Sequence, residues 1–208
     1  MAPRLTVCDH PLIQDKLACL RDKHTRPDDF RLLLSEVSAL MAYEVMRGLR
    51  TRKSMVQTPL RSASAQYLAQ PIACVAVLRA GLGMLQGVLT VVPKSSIGHI
   101  GLYRNEQTLN PIRYYVRLPK DISDCFVVLC DPMLATGGSS IEAIRILKTD
   151  GARQIALMTL LCAKAGVCRV EQTYPDVPIY TAAVDAQLNK SGFIVPGLGD
   201  AGDRLFAT

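Results

Sequence analysis

Apolar positions along this chain follow two rhythms. From about residue 10 to residue 50 they recur at helical spacing. HPLIQDKLACLRDK sets Leu12, Ile13, Leu17 and Leu20 at that spacing, and Pro11 suits a first helical turn. Pro27-Asp28-Asp29 then opens DDFRLLLSEVSALMAYEVMRGL, where Leu33, Val37, Leu40, Met41 and Val45 make a wide apolar stripe. Its aspartates suit the positive end of a helix dipole. From Pro71 the rhythm changes to short continuous runs: PIACVAVL, SSIGHIGLY, FVVLC, QIALMTLLC and IYTAAV, rich in β-branched residues. They alternate with the helix-like GLGMLQGVLTVV and SSIEAIRILKTDG. Strands that are apolar throughout are covered on both faces, which predicts an α/β fold with a mostly parallel sheet flanked by helices. The N-terminal helices are expected to pack on that core, so that residues 1–208 form a single domain.

One segment keeps a third rhythm. NPIRYYVRLP alternates Ile112, Tyr114, Val116 and Leu118 with Arg113, Tyr115 and Arg117. With YRNEQTL before it and Asn110-Pro111 as a turn signal, it predicts a hairpin over about 100–118. Such a hairpin is either a lid projecting from the sheet or an antiparallel edge pair.

Composition narrows the setting. No apolar run reaches the roughly 18 residues needed to span a bilayer, and MAPRLTVCDHPL has no uninterrupted apolar core of a signal peptide. The expected location is therefore cytoplasmic, with no membrane partner. The seven cysteines include no C-x-x-C pair and are accompanied by only three histidines, which removes zinc spacing. They read as free, mostly buried thiols of a reducing compartment. A net charge of +6 and a pI near 9.0 favour an anionic partner, either nucleic acid or a phosphorylated small molecule. Aromatics make up 5% and tryptophan is absent, which leaves little for base stacking and favours the small molecule.

Three glycine-bearing segments should fall at or near the carboxyl ends of strands, where open α/β sheets bind ligands. In Leu78-Arg79-Ala80-Gly81-Leu82-Gly83, Arg79 is poised for a multiply charged oxyanion, and Gly81 and Gly83 permit close backbone approach; a plain helix start with a surface arginine fits as well. In CDPMLATGGSS, the N–H groups of Ala135 to Ser139 open a helix, where phosphate is favoured, and Thr136 and Ser139 add hydroxyls. Asp131 cannot bind that phosphate but can accept hydrogen bonds from nearby sugar hydroxyls. This is neither G-x-x-x-x-G-K-[ST] nor G-x-G-x-x-G. An acid for hydroxyls followed by a phosphate nest points to a ribose 5-phosphate; an ordinary strand–loop–helix turn is the alternative. The tail, SGFIVPGLGDAGDRLFAT, spaces apolar residues with Gly192, Gly197, Gly199 and Gly202 and carries Asp200 and Asp203. It suggests either a wound loop that offers main chain to a ligand or a packing arm.

With these segments in view, the chain resembles the uracil phosphoribosyltransferases over nearly its whole length. HPL, SEVSALMAYE, Thr58-Pro59-Leu60, LRAGLGM, GLYRNE-x-T-L-x-P, DPMLATGGS, YPDVxxYTA and GFIVPGLGDAGDRLF resemble family motifs in order. The resemblance implies a type I phosphoribosyltransferase fold and transfer of ribose 5-phosphate from 5-phosphoribosyl 1-diphosphate (PRPP) to N1 of uracil, giving UMP and diphosphate in pyrimidine salvage. It implies that Asp131, Pro132, Met133, Leu134, Ala135, Thr136, Gly137, Gly138 and Ser139 hold the ribose 5-phosphate, and that Arg79 and Arg104 hold the diphosphate. It places Ile194, Gly199, Asp200 and Ala201 of the 190–205 tail around uracil, with Asp200 also touching PRPP. Arg79, Arg104, Asp131 and Asp200 are the residues it marks as catalytic. One Mg²⁺ per subunit is implied to arrive with PRPP, with no dedicated metal ligands. GTP as activator and a homodimer or homotetramer are further implications.

Chemistry gives these assignments reasons. Uracil offers an N3–H flanked by two carbonyls, a pattern that peptide N–H and C=O groups can match. Cytosine reverses it and would leave buried groups unpaired, a mismatch rejected by on the order of 10⁴-fold in favourable cases. Positive charge gathers on the ribose ring in the transition state while negative charge builds on the departing diphosphate, so positioning and charge neutralisation are the main tasks. No histidine stands out as a base for N1, and Asp200 is the nearest carboxylate for it. Two departures from the broader pattern stand out. Phosphoribosyltransferases at large carry two adjacent acids where this chain has Asp131-Pro132, a loss the uracil branch shares. Many uracil family members have Pro-Glu-Gly where this chain reads Lys164-Ala165-Gly166. An RNA-binding regulator of the same fold is the different-class alternative, against which the base-binding tail and few aromatics argue. An orotate or purine transferase is the alternative within enzymes; orotate's carboxylate would want a cation near Ile194, and the tail around it has none.

Overall fold

The computed structural model describes residues 4–104 and 111–208. The chain runs β1 (Leu5–Val7), α1 (Pro11–Arg21), α2 (Pro27–Val45), then a hairpin of β2 (Thr51–Gln57) and β3 (Ser62–Leu68). There follow β4 (Ile72–Leu78), α3 (Leu82–Val91), β5 (Ser96–Arg104), β6 (Pro111–Arg117), β7 (Phe126–Cys130) and β8 (Met133–Leu134). The last part is α4 (Gly138–Thr149), β9 (Gln154–Ala163), α5 (Lys164–Thr173), β10 (Ile179–Asp185), β11 (Gln187–Leu188), β12 (Ile194–Val195) and α6 (Ala201–Phe206). The main sheet orders its strands β1-β10-β9-β7-β4-β5-β6, with β8 paired to β9. Every pairing in it is parallel except β5 with β6.

The continuous apolar runs become the central strands because each face has its own layer of helices. Cys74 and Ala76 of β4 and Val128 and Cys130 of β7 pack with Leu34, Met41, Met84 and Leu205 from α2, α3 and α6. Their neighbours Val75, Val77, Val127 and Leu129 point the other way, against Ile144, Leu147 and Val170 of α4 and α5. Side chains alternate across a strand, so a run that must satisfy two such layers has no polar position to offer.

The helical stripes run slightly differently from their sequence reading. On α1 the buried line is Ile13, Leu17 and Leu20, while Leu12 is 54% exposed. On α2 it is Phe30, Leu34, Val37, Met41 and Val45, with Leu33 and Leu40 only partly covered. A line stepping by three and four residues faces one neighbour; residues one position off it turn toward the rim. Pro11 and Pro27 each open their helix, and Asp28 and Asp29 occupy the first turn of α2, as expected.

Residues 111–117 form the antiparallel edge pair of the two alternatives, β6 on β5. A register shift between Gly101 and Leu102 breaks the expected alternation. Gly101 pairs with Tyr115 and Leu102 with Arg113, so Tyr114 is the extra residue, and its ring lies over Gly101. The hairpin tip, including Asn110 of the turn signal, lies outside the described residues. The β2–β3 hairpin has no counterpart in the sequence reading: TRKSMVQTPLRSASAQYL is mostly polar, and its half-buried strand positions are only the short side chains of Ser54, Val56, Ala63 and Ala65. Among the described residues no helix is long and apolar enough to cross a membrane. All seven cysteines are free, and five are buried. Burial pushes the thiols of Cys74 and Cys162 up to about 11 and about 12, so they pack as small apolar groups.

Candidate active site

The ends of β4, β7 and β10 open on one edge of the sheet, and the segments that follow them build a cleft. Asp131 follows β7 directly and is 8% exposed. Ser140 Oγ, on the first turn of α4, donates to its Oδ2 at 3.1 Å. Burial raises the Asp131 carboxyl to about 6, against the opposing pull of the hydrogen bonds from Ser140 and the Met133 N–H. The carboxylate is thus pre-aimed, with capacity for further donors.

Between Asp131 and α4 the chain is fixed from below. The Pro132 carbonyl accepts from the N–H groups of Leu160 and Leu161, both at 3.0 Å, and β8 adds its pairing to β9. Pro132 and Leu134 are therefore buried floor, while Met133 and Ala135 face the cleft. Gly137 sits at φ +81 and caps α4, a left-handed turn that a side chain would strain. The turn leaves the first N–H groups of α4, those of Gly138, Ser139 and Ser140, at the helix's positive end. A Cβ on Gly166 would meet the Ala135 carbonyl at 2.5 Å, so α5 packs tightly beneath the loop. Arg169 Nη1, also on α5, donates to the Thr136 carbonyl at 3.3 Å.

The tail builds the opposite wall. β11 pairs antiparallel with β12, and Asn189 Oδ1 accepts from the N–H groups of Ser191 and Phe193 at 3.0 and 2.9 Å. After the cis Val195–Pro196 bond, Gly197 turns at φ +60. Asp200 then caps α6, its Oδ1 accepting from the Asp203 N–H at 2.9 Å. The N-terminal helices grip this wall. Arg204 donates to the carbonyls of Leu20, Leu198 and Asp22 and lies 4.5 Å over the Phe30 ring. Arg31 donates to the Leu205 carbonyl at 2.9 Å.

The result is a cleft of ≈ 370 Å³ lined by Ala80, Asp131, Met133, Ala135, Ser191, Gly192, Phe193, Ile194, Gly199, Asp200, Ala201 and Gly202. It brings together Asp131, Met133 and Ala135 with all four tail residues singled out in the sequence, while Thr136 to Ser139 continue from Ala135 into α4 without lining it. Phe193 and Ser191 also line it, without a sequence signal beyond lying in the glycine-spaced tail. Arg79 is placed differently: its guanidinium lies 3.4 Å from Asp203 Oδ1 and 5.6 Å from the Phe206 ring, while Ala80 lines the cleft. The close approach at Gly81 is to protein rather than ligand, since a Cβ there would meet the Cys130 carbonyl at 2.4 Å. Arg104 ends β5, whose partner Pro111 lies within 3.8 Å of where a Gly138 side chain would begin. The base of the edge hairpin thus adjoins the loop. Among the described residues no group of three or more His, Cys, Asp or Glu could hold a metal ion. The cleft does offer two hard carboxylates, Asp131 and Asp200, both already accepting hydrogen bonds from within the chain.

Comparison with known proteins matches this architecture. The family profile described as uracil phosphoribosyltransferase covers residues 7–208. A uracil phosphoribosyltransferase of Clostridium kluyveri is 52% identical over 206 residues, covering 99% of each chain. One from Thermus thermophilus is 51% identical over the same length and coverage. A solved structure from Aquifex aeolicus superposes with a TM-score of 0.94 at 36% identity, covering 98% of both chains. An adenine phosphoribosyltransferase of Trypanosoma brucei shares the fold at a TM-score of 0.60 and 14% identity, over 96% of this chain and 89% of that one.

Proposed function

Because the chain belongs to the uracil phosphoribosyltransferase family, we infer that its cleft transfers ribose 5-phosphate from PRPP to N1 of uracil, releasing diphosphate and forming UMP. One observation carries the reading. The start of a strand-to-helix loop suited to a sugar phosphate and a main-chain-rich tail suited to a planar base, more than fifty residues apart in sequence (135 to 191), face each other across one cleft.

The roles follow from the chemistry of each wall. The N–H groups opening α4 and the hydroxyls of Thr136 and Ser139 take the 5-phosphate, which helix dipole and peptide donors favour without a lysine. Asp131, ionised, accepts from the ribose hydroxyls. Ile194, Gly199, Asp200 and Ala201 surround uracil, with peptide groups answering its alternating acceptors and donor. Arg79 and Arg104 take the diphosphate and stabilise its charge as the glycosidic C–O bond breaks. Arg79 reaches it by leaving Asp203, an exposed pair of the weakly held kind. The free oxygen of Asp200 is the nearest acceptor for the N1 proton or for a water that relays it.

Magnesium suits this donor set as a companion of the substrate. It binds through one or two carboxylates plus substrate phosphates, and when present would neutralise the diphosphate. Asp131 and Asp200 are the carboxylates that would face its water shell. A homodimer or homotetramer is supported by the β2–β3 hairpin, whose Met55 and Leu60 are 66% and 95% exposed. GTP is the activator family membership implies, tested by initial rates with and without it. The reading as a whole is tested by offering uracil, cytosine, orotate and hypoxanthine with Mg-PRPP. Diphosphate release with uracil alone is expected, and none with uracil would overturn it.

A further inference from the structure

Arg21 ends α1 and Asp185 ends β10, and neither lines the cleft. They nevertheless meet as a fork: Arg21 Nη1 lies 2.8 Å from Asp185 Oδ2 and Nη2 lies 2.8 Å from Oδ1. Both then hold the same residue. Asp185 Oδ2 accepts from the Gly197 N–H at 2.9 Å, and Arg21 Nη1 donates to the Gly197 carbonyl at 2.8 Å. Hydrogen bonding from Arg21 keeps the Asp185 carboxyl below its ordinary value, so the pair is charged at neutral pH.

Gly197 is the tightest turn of the base-facing wall. At φ +60 it folds the chain so closely that a Cβ would lie 2.1 Å from the Ile194 carbonyl. Ile194 and Gly199, on either side of that turn, both line the cleft. Recognition of a base by peptide groups works only if those groups are held to a fraction of an ångström. A half-buried ion pair is a weak source of stability but a strong source of geometry, since a fork tolerates little rotation.

We propose that Arg21 and Asp185 are positioning residues for the base half of the cleft, locking the Gly197 turn so that helix α1 sets affinity and selectivity for the base. The proposal rests on the reading of that wall as the uracil site. It makes the N-terminal helices part of base recognition rather than a cover over the sheet, because the lock reaches the base only through main chain.

Steady-state kinetics of the full chain with each substrate varied separately test it. Asp185→Asn keeps an acceptor for Gly197 but discharges the fork, and Arg21→Lys keeps the charge but loses its second donor. Each should raise the uracil KM by about tenfold or more, with the PRPP KM within about twofold of wild type, as expected for misplacement on the scale of an ångström. The rate ratio of uracil to orotate should fall with it. The paired variant Arg21→Gln with Asp185→Asn leaves no lone charge in the fold, and should show the same split even where a single variant is too unstable to purify. Parallel changes in both KM values, tracking a lowered Tm, would overturn the proposal, as would an unchanged uracil KM. Wild-type protein with no uracil-dependent release would instead sink the functional reading beneath it.

Discussion

The two walls of the cleft are held in opposite ways. The 131–139 loop, proposed to hold the phosphate, is local: Asp131 is aimed by Ser140, nine residues on, and the turn is set by Gly137 at the start of the helix it precedes. The tail is tertiary: its turn and closing helix depend on Arg21, Asp22, Phe30 and Arg31, all near the other end of the chain. A wall that must recognise only phosphate can be built from one strand-to-helix junction, because helix N-termini supply the donors wherever they occur. A wall that must distinguish one base from another needs a specific main-chain path, and a glycine-rich segment holds such a path only when clamped from outside.

This contrast predicts separable damage. The largest effect belongs to Asp131→Ala, which removes the charged acceptor proposed for two ribose hydroxyls. At about 1.5–3 kcal/mol per bond to a charged group, kcat/KM for PRPP should fall by on the order of 10²–10⁴-fold in a coupled diphosphate assay. Uracil affinity in the same variant should change far less.

Next comes pH. The folded Asp131 carboxyl lies at about 6 against an ordinary 3.8, so the native state binds its proton more tightly than the unfolded chain does. Its contribution to stability is therefore fully present below about 3.8 and is lost as pH rises through about 6, a cost of about 3 kcal/mol at 1.36 kcal/mol per pH unit. On the proposed role binding runs the other way, because only an ionised carboxyl could accept from two hydroxyls. PRPP affinity should drop about tenfold between pH 7 and pH 5, and Asp131→Asn should flatten both the binding and the stability profiles.

Third, Arg204→Ala and Gly137→Ala should separate the walls. Loss of Arg204 strips three carbonyls and the Phe30 ring of their partner, costing about 2–4 kcal/mol in denaturant melts and raising the uracil KM more than the PRPP KM. Gly137→Ala forces a side chain into φ +81 at about 1–2 kcal/mol and should do the reverse. The smallest effect is expected of Asp203→Asn, which frees Arg79 from an exposed pair. A pair of this kind is worth about 0.2–1 kcal/mol, so the PRPP KM should fall by no more than about fivefold.

The same contrast decides what could be read in advance. The central strands, α1, α2 and the strand–loop–helix junction at 131–139 are written in local periodicity and turn residues, and the structure has these elements where PIACVAVL, FVVLC and DPMLATGGS suggest. Family motifs added the tail residues. Neither reading found Arg21, Asp185 or Arg204 as supports, because an arginine on a helix surface has the same local pattern whether it meets solvent or a carbonyl 184 positions away. The β2–β3 hairpin escaped for a related reason, since its half-covered face carries only Ser54, Val56, Ala63 and Ala65, a weak alternation among polar residues. The alternation puts Tyr114 on one face with Ile112, Val116 and Leu118 because a bulge leaves no mark in a period-two pattern.

The most direct test of a cleft with two walls is calorimetric titration with the molecule that touches both. UMP should bind wild-type protein more tightly than either ribose 5-phosphate or uracil alone. Asp131→Ala should weaken UMP and ribose 5-phosphate together, while Arg204→Ala should weaken UMP and leave ribose 5-phosphate unchanged. UMP binding no tighter than ribose 5-phosphate, or insensitive to Arg204, would contradict the assignment of the tail to the base.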